Sequence, residues 1–246
     1  SSPDTFNSAR NLAESIGARF YHWSVEQEVQ SYRSKIEEAL GRPLDWGTDD
    51  VTLQNIQARS RSPIIWMLAN ESRSVLLTTS NRSEGDVGYA TMDGDTSGSL
   101  APVAGVSKPF ILKWLQWAEQ ELGYHGLKDV NGLQPTAELR PPEREQTDEK
   151  DLMPYDILVA IEREAIFKRK SPAEVLRSLS DTFSDFEYLK KCVIRFFRMW
   201  SANQWKRERL APSFHFDDWN VDPRSWCRFP ILRGGFEEEI AEIEKS

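Results

Sequence analysis

Cysteine is scarce in this sequence, with only Cys192 and Cys227 among 246 residues. Two cysteines provide neither a disulfide framework nor the ligand spacing of a structural metal site, which favours a reducing compartment such as the cytoplasm. Long uncharged apolar runs are also missing, so no segment approaches the roughly eighteen residues that a membrane-spanning helix needs. The N-terminal residues SSPDTFNSAR lack the basic and apolar regions of a secretory signal. These absences predict a soluble cytoplasmic protein without a membrane partner.

Net positive charge is absent as well, because 31 Lys and Arg stand against 39 Asp and Glu, for a formal net charge of -8. This balance argues against a protein that binds nucleic acid by neutralising phosphates. The basic residues concentrate in RFFRMWSANQWKRER, at residues 195–209, so a local site for an anionic ligand such as a nucleotide phosphate is compatible with the sequence. Hydrophobic residues make up 39% of the chain, with nine Trp, which indicates a globular protein with a packed core.

Helical periodicity in the first half of the chain is bounded by capping residues and glycine stops. It predicts helices over residues 3–16, about 26–40, from about 50 to a break at Pro63, and about 107–122. Between them, ARFYHWSV at 18–25 alternates as a strand does, and SVLLTTS at 74–80 is the nearly continuous apolar run of a strand covered on both faces. Strands alternating with helices predict an α/β fold built on a partial, doubly wound parallel sheet.

The character of the sequence changes after Gly123. Residues 124–153 contain prolines and the charged run PEREQTDEKD, which is typical of a mobile loop, and the pattern from Pro154 onward is helical again. We therefore expect three parts of one domain. They are an α/β nucleotide-binding part at 1–123, a mobile loop at 124–153 and a helical C-terminal part at 154–246.

The segment TTSNRSE directly follows the apolar run that begins at Val75. Ligands of open parallel sheets bind beyond the carboxyl ends of the strands. Thr78 and Thr79 supply hydroxyls for a ribose or base there, and Glu84 supplies the hard oxygen that magnesium prefers. A plain surface loop fits the same residues equally well.

Six motifs decide between these two interpretations. NIQAR, LTTSNRSE, GYATMDGDTSGSLAP, PTAELRP, QTDEKDLMPYD and QWKRERLAPSFHFDD occur in this order, and together they resemble the synthetase domain of NAD synthetases, most closely the long glutamine-dependent type. The resemblance covers nearly the whole chain, and six separated motifs are specific where one would be weak.

The family resemblance implies an adenine nucleotide alpha hydrolase-like fold and the ATP-dependent amidation of deamido-NAD to NAD through an adenylylated intermediate. Magnesium would accompany ATP. The resemblance further implies a dimer or higher homo-oligomer, and ammonia released from glutamine by a nitrilase-like domain, which nothing in this chain resembles.

Seven residues match ligand contacts of the family by position, and no catalytic side chain is assigned. The ATP contacts are Thr79, Lys108 and Thr136, and the magnesium ligand is Glu84. The deamido-NAD contacts are Asn55, Arg59 and Lys206. The chain departs from the ammonia-dependent branch at Met92 and Ser99, which stand where that branch has a lysine and an aspartate that contact deamido-NAD.

The family's phosphate-binding loop, Ser-Gly-Gly-x-Asp-Ser, does not occur in the 246 residues. Because SSPDTF resembles the helix after the family's second strand, we expect an N-terminal segment to be missing and the chain alone to be inactive. Two alternatives stay open. One is an incomplete fragment that acts as a nucleotide-binding or dimerisation module, and the other is a related ATP-pyrophosphatase enzyme, such as a nucleotide amidotransferase or a tRNA-modifying enzyme, although the acidic balance weighs against tRNA.

Overall fold

The computed structural model describes residues 2–141, 146–219, 221–224 and 234–245. The chain divides into two compact units, of which unit 1 is Ser1–Met67 with Pro109–Asp151 and unit 2 is Leu68–Lys108 with Leu152–Ser246. The predicted division at residues 123 and 153 stays a prediction.

The helices in chain order are α1 (Pro3–Ser15), α2 (Glu26–Leu40), α3 (Asp50–Ser60), α4 (Ser62–Glu71), α5 (Arg82–Val87), α6 (Lys108–Glu121), α7 (Leu127–Asn131), α8 (Asp148–Asp151), α9 (Tyr155–Glu162), α10 (Pro172–Leu179), α11 (Phe186–Ala202), α12 (Gln204–Arg207) and α13 (Glu237–Glu244). A π-helical turn at Arg163–Phe167 continues α9.

Unit 1 has the helices that the capping and stop signals predict. The Ser2 hydroxyl caps the first turn of α1, and α2 ends at Gly41, whose φ of 66° is in the left-handed region that favours glycine. The predicted break at Pro63 is confirmed, because α3 ends before it and the proline lies in the first turn of α4. Within the unit, α1 packs against α7 and α2 packs against α3.

Unit 2 contains an apolar core to which α9, α10, α11 and α13 contribute. Leu189, Val193 and Phe196 of α11 are fully buried, at the spacing of a single helix face. Each such side chain stabilises the fold by about 1.5–3 kcal/mol. The helical pattern predicted from Pro154 onward is confirmed by α9, α10, α11 and α13. Because α5 packs on α9 and α11, this core positions the segment that follows the predicted strand at Val75.

Strand content is low, and the predicted strands are where the structure departs most from expectation. Within the described ranges, β pairing consists of two isolated parallel bridges, Leu77 with Leu100 and Ala101 with Ser213. The strand predicted over residues 74–80 is thus reduced to one bridge, and Leu77 is 53% exposed rather than covered on both faces. The described residues form a mainly helical chain with parallel pairing at single positions.

The strand predicted over ARFYHWSV is wrong, since residues 18–25 have irregular backbone. The alternation of the side chains is nevertheless present, because the rings of Phe20 and His22 both contact Phe6 of α1. A strand also needs a neighbour that pairs with its N–H and C=O groups. Alternation within one segment cannot show whether that neighbour exists.

Two stretches that carried predictions lie outside the described residues. They are residues 142–145 of the predicted mobile loop and residues 225–233 of the predicted helical C-terminal part, which include Cys227. In the described part of the chain, every helix is too short or too polar to cross a membrane.

Candidate functional site

The polar segment at residues 78–99 is the predicted ligand edge, and Thr78 at its start contacts residues near its end. The Thr78 hydroxyl is buried and donates to the carbonyl of Asp95 at 2.9 Å, whereas Thr79 is exposed. Gly98 lies so close to the Thr78 backbone that a Cβ would be 2.9 Å from its nitrogen. A glycine is therefore needed at position 98, where the loop passes close to the backbone of Thr78. Of the two threonines, Thr79 is the one that is accessible to solvent.

Glu84 lies in the first turn of α5, and the partners of its carboxylate include Asn81 and Lys108. Asn81 forms a capping box with it: the Asn81 side-chain oxygen accepts from the Glu84 amide, while the Asn81 side-chain amide donates to Oε1 at 2.5 Å and its backbone nitrogen to Oε2 at 3.3 Å. The second partner is Lys108, whose Nζ is 3.5 Å from Oε1. The backbone nitrogen of Lys108, at the start of α6, donates to the Ser83 hydroxyl at 3.1 Å. Lys108 therefore contacts the first turn of α5 through both its backbone and its side chain.

The C-terminal end of α5 is fixed by residues between α11 and α12. Gly88 ends the helix with φ of 63°, and a Cβ there would lie 2.4 Å from the Cβ of Asn203. The Asn203 side chain donates to the Val87 carbonyl at 2.7 Å. Lys206 donates from Nζ to the carbonyls of Gly88 and Ala90 at 2.8 and 2.9 Å. Lys206 thus holds the loop after α5, and its predicted contact with deamido-NAD stays a prediction.

Two arginines that are almost fully buried, Arg82 of α5 itself and Arg207 of α12, link α5 to other segments. Arg207 donates to the Asp86 carbonyl at 2.6 Å, and its guanidinium lies 3.7 Å from the centre of the Trp200 ring. The Nε of Arg82 is 2.5 Å from Oε1 of Glu162, and its Nη1 donates to both carboxylate oxygens of Asp217 at 2.9 Å. Because these contacts reach α5 from three other segments, the position of Glu84 is fixed by the core of unit 2.

Asp86 and Glu162 are neighbouring carboxyl groups in nearly complete burial, with exposed fractions of 0% and 1%. Among the described residues, no donor forms an aligned hydrogen bond with any of their four oxygens, and the Arg82 contact is an ion pair only. Burial raises the pKa of Glu162 well above its ordinary value of 4.5, and the adjacent Asp86 raises it further. Burial likewise raises the pKa of Asp86. A proton on either carboxyl group would make that group a hydrogen-bond donor to the other.

A small cavity lies beside Glu84 within unit 2. Its lining includes Ser80, Glu84, Ala90, Lys206 and Leu210, and its volume is about 10 Å³. This is close to the smallest volume that holds one water molecule. The structure therefore brings the predicted magnesium ligand and the predicted dinucleotide contact Lys206 to one cavity, and Lys108 pairs with the same glutamate.

Glu84 offers one carboxylate to a divalent cation. In the described ranges, no group of three or more His, Cys, Asp or Glu side chains could hold a metal alone. Magnesium is usually held by one or two carboxylates together with substrate phosphates and water. One carboxylate with a lysine nearby for the phosphates fits that arrangement, and it does not fit a metal site made only of protein ligands.

The other predicted contacts lie in unit 1. Asn55 and Arg59 are four residues apart on α3, which places them on one helix face; Asn55 is half-buried and Arg59 is exposed. Thr136 is exposed, and its hydroxyl accepts from the Glu138 amide at 3.3 Å. The assigned roles of these three residues stay predictions.

Arg140 joins the predicted lid segment to α3. Its guanidinium donates to both oxygens of Asp50 at 3.1 and 2.9 Å and to Asp151 at 2.8 Å. Two carboxylates therefore raise the pKa of the Arg140 guanidinium above its ordinary range. The link between Arg140 and Asp50 could not be predicted from the sequence, because it connects residues ninety positions apart.

Sequence reasoning also missed the charged residues around α5: Arg82, Asp86, Glu162 and Arg207. One signal was available for Glu162, which follows Leu158 by four residues and Ile161 by one on an otherwise apolar helix face. A carboxylate in that position is a candidate for a paired, buried charge. Its partners could not have been found, because they are distant in sequence.

Comparison with known proteins shows the family of this chain. Residues 1–209 match the model of the NAD synthase family. The chain is 34% identical over 274 residues to the glutamine-dependent NAD(+) synthetase of Oryza sativa subsp. indica, covering 100% of this chain and 37% of that protein. It is 34% identical over 177 residues to the enzyme of the same name from Aquifex aeolicus (strain VF5), covering 72% of this chain and 30% of that protein. The chain thus spans about a third of the length of these curated relatives.

Solved structures agree on the fold. The crystal structure of a glutamine-dependent NAD(+) synthetase from Cytophaga hutchinsonii is 54% identical with a TM-score of 0.88, over 99% of this chain and 39% of that one. The structure of NMN synthetase from Francisella tularensis is 18% identical with a TM-score of 0.62, over 87% of this chain and 74% of that one. The second likeness concerns the fold alone.

Proposed function

Because the chain belongs to the NAD synthase family, which it matches over residues 1–209, we propose that it carries the synthetase site of a glutamine-dependent NAD synthetase. The site would amidate deamido-NAD to NAD with ATP and with ammonia released from glutamine elsewhere in the protein. The observation that carries this proposal is the contact within unit 2 between Glu84 and Lys108, a carboxylate and an ammonium at the predicted ATP edge.

The proposed chemistry has two steps. An oxygen of the nicotinate carboxylate attacks the α-phosphorus of ATP, the bond from phosphorus to its bridging oxygen breaks, and pyrophosphate leaves. Ammonia then attacks the acyl carbon of the adenylate; the acyl C–O bond breaks, AMP leaves with the electron pair, and the nitrogen loses a proton. The adenylate is needed because a carboxylate is a poor electrophile. Magnesium, when bound, offsets negative charge on the phosphates.

The chain's own residues bind and orient the two substrates in this proposal. Thr79, Lys108 and Thr136 contact ATP, with Lys108 as a point charge for the phosphates, and Glu84 supplies the carboxylate for magnesium. The remaining contacts are for deamido-NAD, where Arg59 clamps a carboxylate or phosphate with two parallel hydrogen bonds. They are Asn55, Arg59 and Lys206.

The finer features of fold and assembly belong to the same proposal. The parallel direction of the bridges Leu77–Leu100 and Ala101–Ser213 supports a partial doubly wound sheet of the adenine nucleotide alpha hydrolase type. We place the protein in the cytoplasm as a homodimer or higher homo-oligomer. The candidate contact is α3, the helix that carries NIQAR, on which Val51 is 69% exposed.

Titration calorimetry with deamido-NAD, and separately with ATP and magnesium, tests the binding roles. Arg59→Ala should weaken deamido-NAD binding roughly tenfold or more, because it removes a charged hydrogen-bonding partner, and should leave ATP binding unchanged. Arg10→Ala, at an exposed arginine on α1 of the same unit, is the matched control and should change neither affinity.

The alternatives give different results in the same titrations. A protein that binds neither ligand but forms a stable dimer is an assembly module, and the synthetase proposal fails. A protein that binds ATP but a carboxylate substrate other than deamido-NAD is a related ATP-pyrophosphatase amidotransferase. Unaltered deamido-NAD binding in Arg59→Ala removes the assigned role of that arginine.

A further inference from the structure

The ion pair of Lys108 and Glu84 joins two residues to which the proposed function gives different ligands. Nζ of Lys108 is 3.5 Å from Oε1 of Glu84, and the side chains are only 21% and 25% exposed. The proposal assigns the lysine to the phosphates of ATP and the glutamate to the cation that accompanies them. The inference rests on that proposal and concerns how the two residues exchange partners.

The cation and the ammonium compete for the same carboxylate. A magnesium ion on Oε1 would lie about 2 Å from that oxygen, which brings it close to the Lys108 ammonium. Like charges at such a separation repel strongly where water is partly excluded. Binding of the cation to Glu84 therefore requires Lys108 to move or its charge to be offset.

Of the contacts that Asn81 and Lys108 make with Glu84, the contact of Lys108 is the one that can be released without uncapping α5. The Asn81 contacts belong to the capping box of α5, and Asn81 is 3% exposed, so releasing them would uncap a buried helix. The ammonium of Lys108 is carried on a flexible four-carbon stem. Its backbone nitrogen stays bonded to the Ser83 hydroxyl while the side chain rotates.

We propose that Lys108 couples cation binding to nucleotide binding by exchanging partners. Lys108 pairs with Glu84 until the phosphates of ATP accept its ammonium, and its transfer opens the carboxylate to the cation. Free cation therefore binds weakly, and cation with nucleotide binds well. Thermodynamic linkage makes the effect reciprocal, so the cation strengthens nucleotide binding by the same factor.

The test compares Lys108→Met with wild type in two separate titrations. In the first, Mn²⁺ binding without nucleotide is followed by electron paramagnetic resonance. In the second, ATP binding in the presence of EDTA is measured by calorimetry. Mn²⁺ stands in for magnesium. The variant should bind Mn²⁺ roughly fivefold more tightly, the factor that corresponds to a partly exposed ion pair, and should bind ATP roughly tenfold more weakly. General damage to the fold would weaken both.

Three further variants make the result specific. Glu84→Gln should abolish the binding of Mn²⁺, so that the signal of the free ion stays undiminished. This result would assign the binding site to the Glu84 carboxylate. Lys113→Met, at an exposed lysine of α6, removes the same charge from the same helix and should change neither affinity. Lys108→Gln should give the same two signs as Lys108→Met, so a folding defect in one variant does not decide the outcome.

Unchanged or weaker Mn²⁺ binding in both Lys108 variants overturns the exchange and leaves the proposed function standing, provided that wild type binds ATP and deamido-NAD. Wild type that binds neither substrate removes the proposed function, and the exchange with it. Tightening by Lys113→Met to the same extent as by Lys108→Met also overturns the exchange, because distant charge would then account for the effect.

Discussion

At the scale of single residues, the burial of the neighbouring carboxyl groups of Glu162 and Asp86 has a consequence for stability. Burial and the neighbouring carboxylate hold the pKa of Glu162 above its ordinary 4.5, so the folded protein keeps a proton that the unfolded chain releases. The contribution of Glu162 to stability is therefore fully present below its unfolded-state pKa of about 4.5 and is lost as the pH rises through the folded-state pKa. Each unit of separation between the two pKa values contributes about 1.4 kcal/mol.

Glu162→Gln should remove this pH dependence, because the glutamine amide donates permanently to Asp86 and does not titrate. Urea unfolding between pH 5 and pH 8 measures the effect, and the stability of the variant relative to wild type should increase with pH. Glu187→Gln, at an exposed glutamate of α11, should follow the wild-type curve. Parallel curves for wild type and Glu162→Gln would show that the folded protein does not hold the pKa of Glu162 above its ordinary value.

Whether a site residue could be predicted from the sequence depends on how far along the chain its partners lie. Thr79 and Glu84 could be singled out from the sequence because they follow an apolar run within a few positions. The contacts of Lys206 with two carbonyls near α5 could not, since they join positions 116 and 118 residues apart. The role of Arg82 could not be predicted for the same reason, because its partners Glu162 and Asp217 lie in distant segments of the chain.

At the scale of elements, the end of α5 depends on a glycine for two separate reasons. Gly88 has a positive φ, and a Cβ would lie 2.4 Å from Asn203, while Gly123 has a similar φ with nothing within 4 Å. Gly88→Ala should therefore combine a left-handed backbone cost of about 1–2 kcal/mol with an overpacking cost of about 1–3 kcal/mol. Gly123→Ala should show the backbone cost alone.

Chemical denaturation measures the loss of unfolding free energy in both variants, and the difference between the two losses is the cost of the clash with Asn203. Gly88→Ala should also weaken Mn²⁺ binding, because the helix that positions Glu84 would shift, while Gly123→Ala should not. Equal destabilisation by the two substitutions would mean that Asn203 moves aside without cost, and the packing of α5 described above would then not restrain Glu84.

Helices and strands differ in how well the sequence predicts them. The ends of α2 and the break at Pro63 follow from residues whose backbone preferences act locally. The strand over ARFYHWSV fails because pairing requires a second segment, and Phe20 and His22 pack on α1 instead. A period-two pattern fixes which side chains share a face and leaves the partner undetermined.

At the scale of the whole molecule, the six ordered motifs predicted the family, which the match over residues 1–209 confirms. The chain spans 37% of its rice relative and 39% of the solved Cytophaga enzyme, so the complete reaction is a property to test on the full-length protein. Family recognition succeeded because each motif is short and local, whereas the seven assigned contacts depend on how distant segments meet.

The most direct test is to give the full-length protein deamido-NAD, ATP, magnesium and an ammonium salt, and to measure NAD and AMP together. The account predicts that NAD and AMP form in equal amounts, that both require deamido-NAD, and that Glu84→Gln reduces both by about a hundredfold or more, since it removes a carboxylate for the cation that stabilises charge on the phosphates. Formation of ADP in place of AMP, or AMP formation that does not depend on deamido-NAD, would contradict it.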